Sequence, residues 1–288
     1  MFLPREILEQ KLLQILTEDI GQGDVTASVI IPAGIDARGS VIAKQAGVVA
    51  GVEEAKTLLE SLGLEAKASV NDGEEIKPKQ ILFKISGDAR TMLAAERTML
   101  NILSRMSGIA TATRYLVEKL RKAKSKTRVA CTRKTAPGLM YFDKKAVLLG
   151  GGDTHRLHLD DMILIKDNHI ALIGGVEKAV KRAKKNASLS KKVEVEVTRV
   201  EEVCEAVEAG ADIVMLDNFS PRKILEAVAL LKKQGDYGKV LLEASGGITA
   251  KNIMDYASAG VDLVSVGEIT HSSRALDISL EITSERKG

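Results

Sequence analysis

Apolar residues recur at helical spacing through Ile7, Leu8, Leu12, Ile15 and Leu16, and Gly21 and Gly23 then break the run ahead of Asp24-Val25-Thr26. Alternating stretches at 37–43, 65–70 and 80–86 predict strands, and the spacing over 52–62 predicts a helix. This mixed order describes a small α+β domain. Residues 88–123, with Leu93, Leu100, Leu103 and Leu116 among the apolar positions, predict one or two long helices with a break at Gly108. From about residue 127 the rhythm changes. Short β-rich runs at 127–132, 162–165, 193–197, 211–216, 240–243 and 262–266 alternate with helix-length segments, the signature of a parallel α/β unit. Those runs are almost wholly apolar, as strands covered on both faces must be.

The polar residues that interrupt this second pattern carry the information about topology. Arg133, Lys134, Lys166, Glu196, Asp217, Glu243 and Gly267 each fall at or just after the C-terminal end of a predicted strand. That is the rim on which α/β barrels build active sites, whereas an open doubly wound sheet binds at one switch point. Six occupied strand ends favour a closed or nearly closed ring. The expected division is a first domain over 1–108, a barrel over 109–274, and a closing segment, 275–288, that packs back on the first domain.

Composition narrows the class. The 288 residues are 45% hydrophobic and 28% charged, enough for a real core and too apolar for disorder. Lys and Arg number 42 against 39 Asp and Glu, a net charge of +3 that argues against a generic nucleic-acid binder and leaves room for a local basic pocket. Aromatic residues, at 3% with no Trp, supply no stacking platform for single strands. Cys131 and Cys204 stand far apart, so neither a disulfide framework nor a zinc ribbon is expected, and a cytoplasmic location follows as the default. The start, Met1-Phe2-Leu3-Pro4-Arg5-Glu6, turns charged at once and no apolar run reaches the roughly 18 residues of a membrane span, so neither export signal nor membrane segment is expected.

Three groups of residues carry candidate chemistry. Glu243-Ala244-Ser245-Gly246-Gly247-Ile248-Thr249 and Val266-Gly267-Glu268-Ile269-Thr270-His271-Ser272 follow the last two strands. Glycines there free backbone N–H groups to cradle a phosphate, although ordinary strand-to-helix turns also favour glycine. The second group is cationic: Thr132-Arg133-Lys134-Thr135, His155-Arg156 and Lys166-Asp167-Asn168-His169. Basic clusters from separate loops converge on one mouth when a polyanionic ligand offsets their repulsion, whereas Lys184-Lys185 and Lys232-Lys233 fit helical faces in water. Lys166 alone also suits a Schiff-base role. Gly150-Gly151-Gly152 predicts a flexible loop presenting His155 and Arg156. The third group is Glu196 and Asp217, on successive strand ends. They suit Mg²⁺ shared with phosphate oxygens or stabilisation of positive charge in a transition state; a salt bridge with nearby lysines is the plainer alternative.

Set in order, Ala95-Glu96-Arg97-Thr98, Met106-Ser107-Gly108-Ile109-Ala110-Thr111, Thr132-Arg133-Lys134-Thr135, His155-Arg156, Ile165-Lys166-Asp167-Asn168-His169, Leu216-Asp217-Asn218, Glu243-Ala244-Ser245-Gly246-Gly247-Ile248 and Thr270-His271-Ser272 resemble the quinolinate phosphoribosyltransferase family. The resemblance runs from Asp24-Val25-Thr26 to His271-Ser272, nearly the whole chain. It implies an N-terminal α+β sandwich domain, an incomplete α/β barrel, and a homodimer, or an oligomer of dimers, with active sites at the subunit interface. The implied reaction joins quinolinate to 5-phosphoribosyl 1-diphosphate, with Mg²⁺, giving nicotinate mononucleotide, diphosphate and CO₂ in NAD biosynthesis. By matching position, Arg133, His155, Arg156 and Lys166, with Arg97 from the partner subunit, would hold the quinolinate carboxylates. Lys134 would assist the donor, and Glu196 and Asp217 would face ribose and metal. Ser245, Gly246, Gly247, Gly267 and His271 would bind the 5′-phosphate. Met140, Lys145, His158 and Glu268 depart from the usual pattern, all outside the strongest clusters. A phosphoribosyltransferase for a monoacid such as nicotinate would need fewer cations, and a phosphate sensor would gain nothing from facing acids.

Overall fold

The computed structural model describes residues 3–284; the chain ends placed with the first domain, 1–2 and 285–288, lie outside these. Two compact units divide the chain. The first takes residues up to 114, 141–151 and from 273 onward, and the second takes 115–140 and 152–272.

In the first unit, helix α1 (Arg5–Ile20) buries Leu8, Leu12 and Leu16, one residue per turn, and stops where Gly21 takes φ 58°. Asp24 caps the short helix α2 (Val25–Ile30), its carboxylate accepting the Ala27 N–H at 2.9 Å. Strands β1 (Asp36–Ala43), β3 (Glu65–Ala68), β5 (Ile81–Asp88) and β12 (Ile278–Ser284) form an antiparallel sheet in the order β12-β1-β5-β3. The closing segment pairs along β1 from Ala37 opposite Ser284 to Ala43 opposite Ile278. Helix α3 (Val52–Ser61) packs Leu58 and Leu59 into the core with Val41, Leu82, Phe83 and Ile85. A two-stranded ribbon, β2 (Gly47–Val48) with β4 (Glu75–Ile76), is too short to leave a periodic signal.

Helix α4 runs unbroken from Ala89 to Lys122, so Gly108 does not interrupt it. The glycine serves close approach instead: a Cβ there would lie 1.9 Å from the carbonyl oxygen of Arg274, the residue that leads toward β12. The unit boundary accordingly falls inside this helix, beyond residue 108, and α5 (Met140–Leu149) belongs almost entirely to the first unit rather than to the barrel. Charge anchors it there. Arg105 donates two hydrogen bonds to the fully buried Asp143, at 2.7 and 2.8 Å. Lys145 is buried and ion-paired with both Glu53 and Glu54 of α3, which outweigh burial and hold it protonated. Gly150, at the head of the Gly150-Gly151-Gly152 run, likewise serves close approach: a Cβ there would stand 2.7 Å from the Ala110 carbonyl and 2.6 Å from the Thr113 side chain of α4.

The second unit is a parallel sheet of β6 (Arg128–Ala130), β7 (Ile163–Ile165), β8 (Val193–Val197), β9 (Ile213–Asp217), β10 (Leu241–Ser245) and β11 (Leu263–Ser265), in the order β6-β11-β10-β9-β8-β7. Helices α6 (Asp167–Ile173), α7 (Val176–Asn186), α8 (Val200–Glu208), α9 (Pro221–Gln234), α10 (Ile253–Ser258) and α11 (Glu268–His271) alternate with the strands. Strands β7 to β11 neighbour one another in sequence order and the first strand pairs with the last, which is the winding of a barrel. The ring is open at one seam, because β6 and β7 do not pair. Asp153 lines β6 on that side, its N–H bonding Val129 and its carbonyl accepting Cys131 N–H. The pleat sends Val195, Val197, Val214, Leu216, Leu242 and Val264 to one buried face. Glu194, Glu196, Met215, Asp217, Glu243 and Ser265 occupy the alternate positions.

Candidate active site

A cavity of about 940 Å³ opens at the C-terminal ends of the strands, with all six contributing to its wall. Parallel winding is the cause: every strand ends at the same rim, so residues as distant in sequence as Cys131 and Ser272 meet there. The basic groups Arg133, Lys134, His155, Arg156 and Lys166 line it together, with Glu196 and Asp217 beside them and Ser245, Gly246, Gly247, Gly267 and His271 on the far strands. Arg97 is the exception. It is exposed on α4 in the first unit and is not among the residues of this wall.

The two glycine loops differ in character. Gly246 and Gly247 have φ of 99° and 59°, and Asn218, just after β9, also takes a left-handed φ of 54°. Asn218 N–H donates to the Ser245 carbonyl at 2.9 Å, and a Cβ on Gly246 would lie 2.2 Å from Asn218 Oδ1, so these two loops interlock only because residue 246 is glycine. Gly267 has ordinary backbone angles; its missing side chain leaves space that the His271 ring fills, 3.2 Å from where a Cβ would stand. Thr270 binds the Lys134 carbonyl at 2.9 Å, tying this loop to the cationic loop after β6.

Electrostatics sort the side chains. Lys166 Nζ lies 2.7 Å from Glu196 Oε2, so the salt-bridge reading of Glu196 is realised. Asp217 Oδ2 accepts from Asn218 Nδ2 at 2.6 Å. Lys166 N–H donates to His169 Nδ1 at 2.9 Å, so His169 caps α6, and it is absent from the cavity wall. Arg156 is buried, and burial followed by the charge of Arg133 pulls its pKa below the usual arginine value. The strongest perturbation is at His155. Burial alone would lower its pKa, but the carboxylates of Glu194 and Glu243 beside Nε2 override this and push it up to about 10. Burial, then the charge of Glu243, raises Glu194 in turn, with His155 and Arg156 opposing.

Clustered cations, two glycine loops and a carboxylate pair on one cavity wall suit a phosphorylated sugar and an anionic acceptor. Residues 24–107 match the quinolinate phosphoribosyl transferase N-terminal domain and residues 109–281 its C-terminal domain. The chain belongs to the quinolinate phosphoribosyltransferase family. It is 47% identical over 270 residues to a probable nicotinate-nucleotide pyrophosphorylase [carboxylating] of Methanocaldococcus jannaschii, covering 93% of this chain and 94% of that protein. The Mycobacterium leprae nicotinate-nucleotide pyrophosphorylase [carboxylating] is 41% identical over 272 residues, 93% of this chain and 94% of the relative. The solved nicotinate-nucleotide pyrophosphorylase of Francisella tularensis superposes with a TM-score of 0.89 at 39% identity, covering 98% of both chains.

The apolar character of its strand conceals Glu194, fully buried behind His155, although Val193-Glu194-Val195-Glu196-Val197 alternates and places both glutamates on one face. Ser265, which donates to Glu243 Oε1 at 2.5 Å, leaves no signal beyond its position in β11. Of the departures, Lys145 is explained by its buried ion pairs, and Glu268 is exposed at the start of α11.

Proposed function

We propose that this pocket carries out the family reaction: quinolinate and 5-phosphoribosyl 1-diphosphate enter it, and nicotinate mononucleotide, diphosphate and CO₂ leave. The observation that carries the reading is the convergence of Arg133, His155, Arg156 and Lys166 in one cavity with the Ser245-Gly246-Gly247 and Gly267 loops. Two adjacent carboxylates on a pyridine need more cationic partners than one. Guanidinium groups of Arg133 and Arg156 grip carboxylates in a plane and Lys166 adds a point charge, which holds the ring nitrogen unprotonated and aimed at the anomeric carbon. The nitrogen lone pair forms the bond to that carbon as its bond to diphosphate breaks. The ribose gains positive charge on the way, which Glu196 and Asp217 stabilise from the rim. The quaternary nitrogen then accepts the electron demand of carbon–carboxylate cleavage, and a proton replaces CO₂ on the ring.

Mg²⁺ fits the donor set. Glu196 Oε1 and Asp217 Oδ1 make no hydrogen bond within the described residues, and both side chains line the cavity, so hard oxygen ligands face the space for the donor. When bound, Mg²⁺ would neutralise the departing diphosphate. Arg97, in a separate unit from this cavity, is assigned to the site of a partner subunit in a homodimer, and a cytoplasmic location accompanies the reading. No helix among the described residues is long and apolar enough to cross a membrane.

The test is release of CO₂ and diphosphate from quinolinate plus donor, run beside nicotinate, for the parental protein and three variants. Arg156→Ala should weaken quinolinate binding by about 2–5 kcal/mol, the penalty for breaking a buried charge pair. Glu196→Ala and Asp217→Ala should instead lower turnover with quinolinate affinity largely kept. Turnover of nicotinate at the rate of quinolinate, or an Asp217→Ala enzyme at the parental rate, would overturn the assignment.

A further inference from the structure

Deep in the barrel, His155 meets two acids that these roles leave unused. Glu194 of β8 and Glu243 of β10 are both fully buried, and their carboxylates meet at a single atom. His155 Nε2 lies 2.9 Å from Glu243 Oε2 and 3.3 Å from Glu194 Oε2. Ser265 of β11 takes the other oxygen of Glu243. Among the described residues nothing donates to Glu194 in good hydrogen-bonding geometry, and Nε2 lies nearer to Glu243. Two buried carboxylates therefore share one imidazole, and a neutral ring would leave them without a charged partner.

The ring is fixed at a particular depth. His155 borders both the rim cavity and a second cavity of about 390 Å³ at the N-terminal ends of the strands, so it forms part of the floor between them. Its backbone takes φ 52°, a left-handed conformation in which its N–H is held by Asp153 Oδ1 at 2.8 Å. Nδ1 has no partner among the described residues. The charged groups around the ring are Glu194 and Glu243 on the strands, Asp153 two residues before it, and Arg156 next to it, with Arg133 beyond Arg156.

We propose that Glu194 and Glu243 are positioning residues for His155: together they grip Nε2 and keep the ring an imidazolium, leaving Nδ1–H as a fixed, charged donor to a carboxylate of the acceptor. The raised pKa of His155 agrees with this geometry. The inference rests on quinolinate being the acceptor in this pocket. It also explains why a histidine serves where arginines abound. A flat ring held from one edge adds a single directed donor at the floor, which a long guanidinium arm cannot do without its own anchor.

The test uses the full-length protein. Ring ¹⁵N shifts of His155, assigned with His155→Gln, report the protonation state of the parental enzyme directly. Equilibrium quinolinate binding is then measured from pH 6 to 8.5 for the parental protein, Glu243→Gln, Glu194→Gln and the double variant, with the donor KM as an internal reference. The expected result is an imidazolium signal throughout that range in the parental protein. In the double variant, quinolinate should bind on the order of 10- to 100-fold more weakly at pH 8.5, the loss of one charged hydrogen bond, with the loss shrinking as the pH falls to 6 and the donor KM unchanged. A neutral His155 in the parental spectrum at pH 7.5 would overturn the proposal, even if no variant folds. A loss equal at every pH, or none, would also do so. Should the parental protein fail to bind quinolinate at all, the functional reading falls, while the ¹⁵N spectrum still decides the charge of the ring.

Discussion

Gly108→Ala sets two effects of known sign against each other. Residue 108 lies in the interior of α4, and helix propensity alone makes alanine more stable than glycine there by about 1 kcal/mol. Packing opposes it. The new Cβ would lie 1.9 Å from the Arg274 carbonyl oxygen, 2.9 Å from its carbonyl carbon and 3.2 Å from Ala275 Cα. All three are backbone atoms, so no rotamer change relieves the overlap. To restore even 3.0 Å, the segment at 274–275 must retreat by about 1 Å. That movement strains the Leu276 N–H bond to the Ser104 carbonyl, 2.9 Å long, and the entry to β12. Overpacking costs about 1–3 kcal/mol, and contact with backbone places this case at the upper end. A weakened hydrogen bond adds about 1 kcal/mol. After the propensity gain, the net destabilisation is about 2–3 kcal/mol, or several degrees in Tm at about 2–4 °C per kcal/mol. Thermal unfolding followed by circular dichroism, with urea midpoints at 25 °C as a check, measures it. A variant as stable as the parent, or more so, would show that propensity governs this position and that the close approach has been misread.

Gly246→Ala tests the phosphate loop. Alanine at φ 99° is strained by about 1–3 kcal/mol, and its Cβ would meet the Asn218 backbone nitrogen at 2.9 Å. The donor KM should rise roughly tenfold or more for each 1.4 kcal/mol that reaches the bound loop. Quinolinate affinity should change much less, and equal effects on both ligands would argue that the loop does not hold the 5′-phosphate. The pH dependence of stability follows from His155. Its pKa in the folded state, about 10, lies above its ordinary value of 6.5, so the stability it contributes is complete below pH 6.5 and is lost as pH rises through 10. The urea midpoint of the parental protein should therefore fall between pH 7 and 9.5, by at most about 1.4 kcal/mol per pH unit for one proton. A midpoint that is flat or rising over that interval would contradict the buried imidazolium.

Local pattern determined a large share of this protein. Each barrel strand is a short apolar run bounded by polar residues, and six such runs alternating with helical segments admit little besides parallel winding. Since parallel strands all end on the same side, Arg133, Lys166, Glu196, Asp217 and the glycines at 246, 247 and 267 were bound to share one rim once the strands were recognised. Quantities set by contacts distant in sequence were out of reach. Gly108 reads as a helix breaker because propensity is local, and only the passage of residue 274 shows that the position needs the absence of a side chain. Gly150 reads as flexibility for the same reason. Helix α5, which its place in sequence assigns to the barrel, groups with the first unit, where Arg105 reaches the buried Asp143. The His155 cluster needs three strands and a loop brought together, with His155 within 3.3 Å of two buried carboxylates. Charge state there depends on burial and on which carboxylates share the space, and both are properties of the folded chain alone.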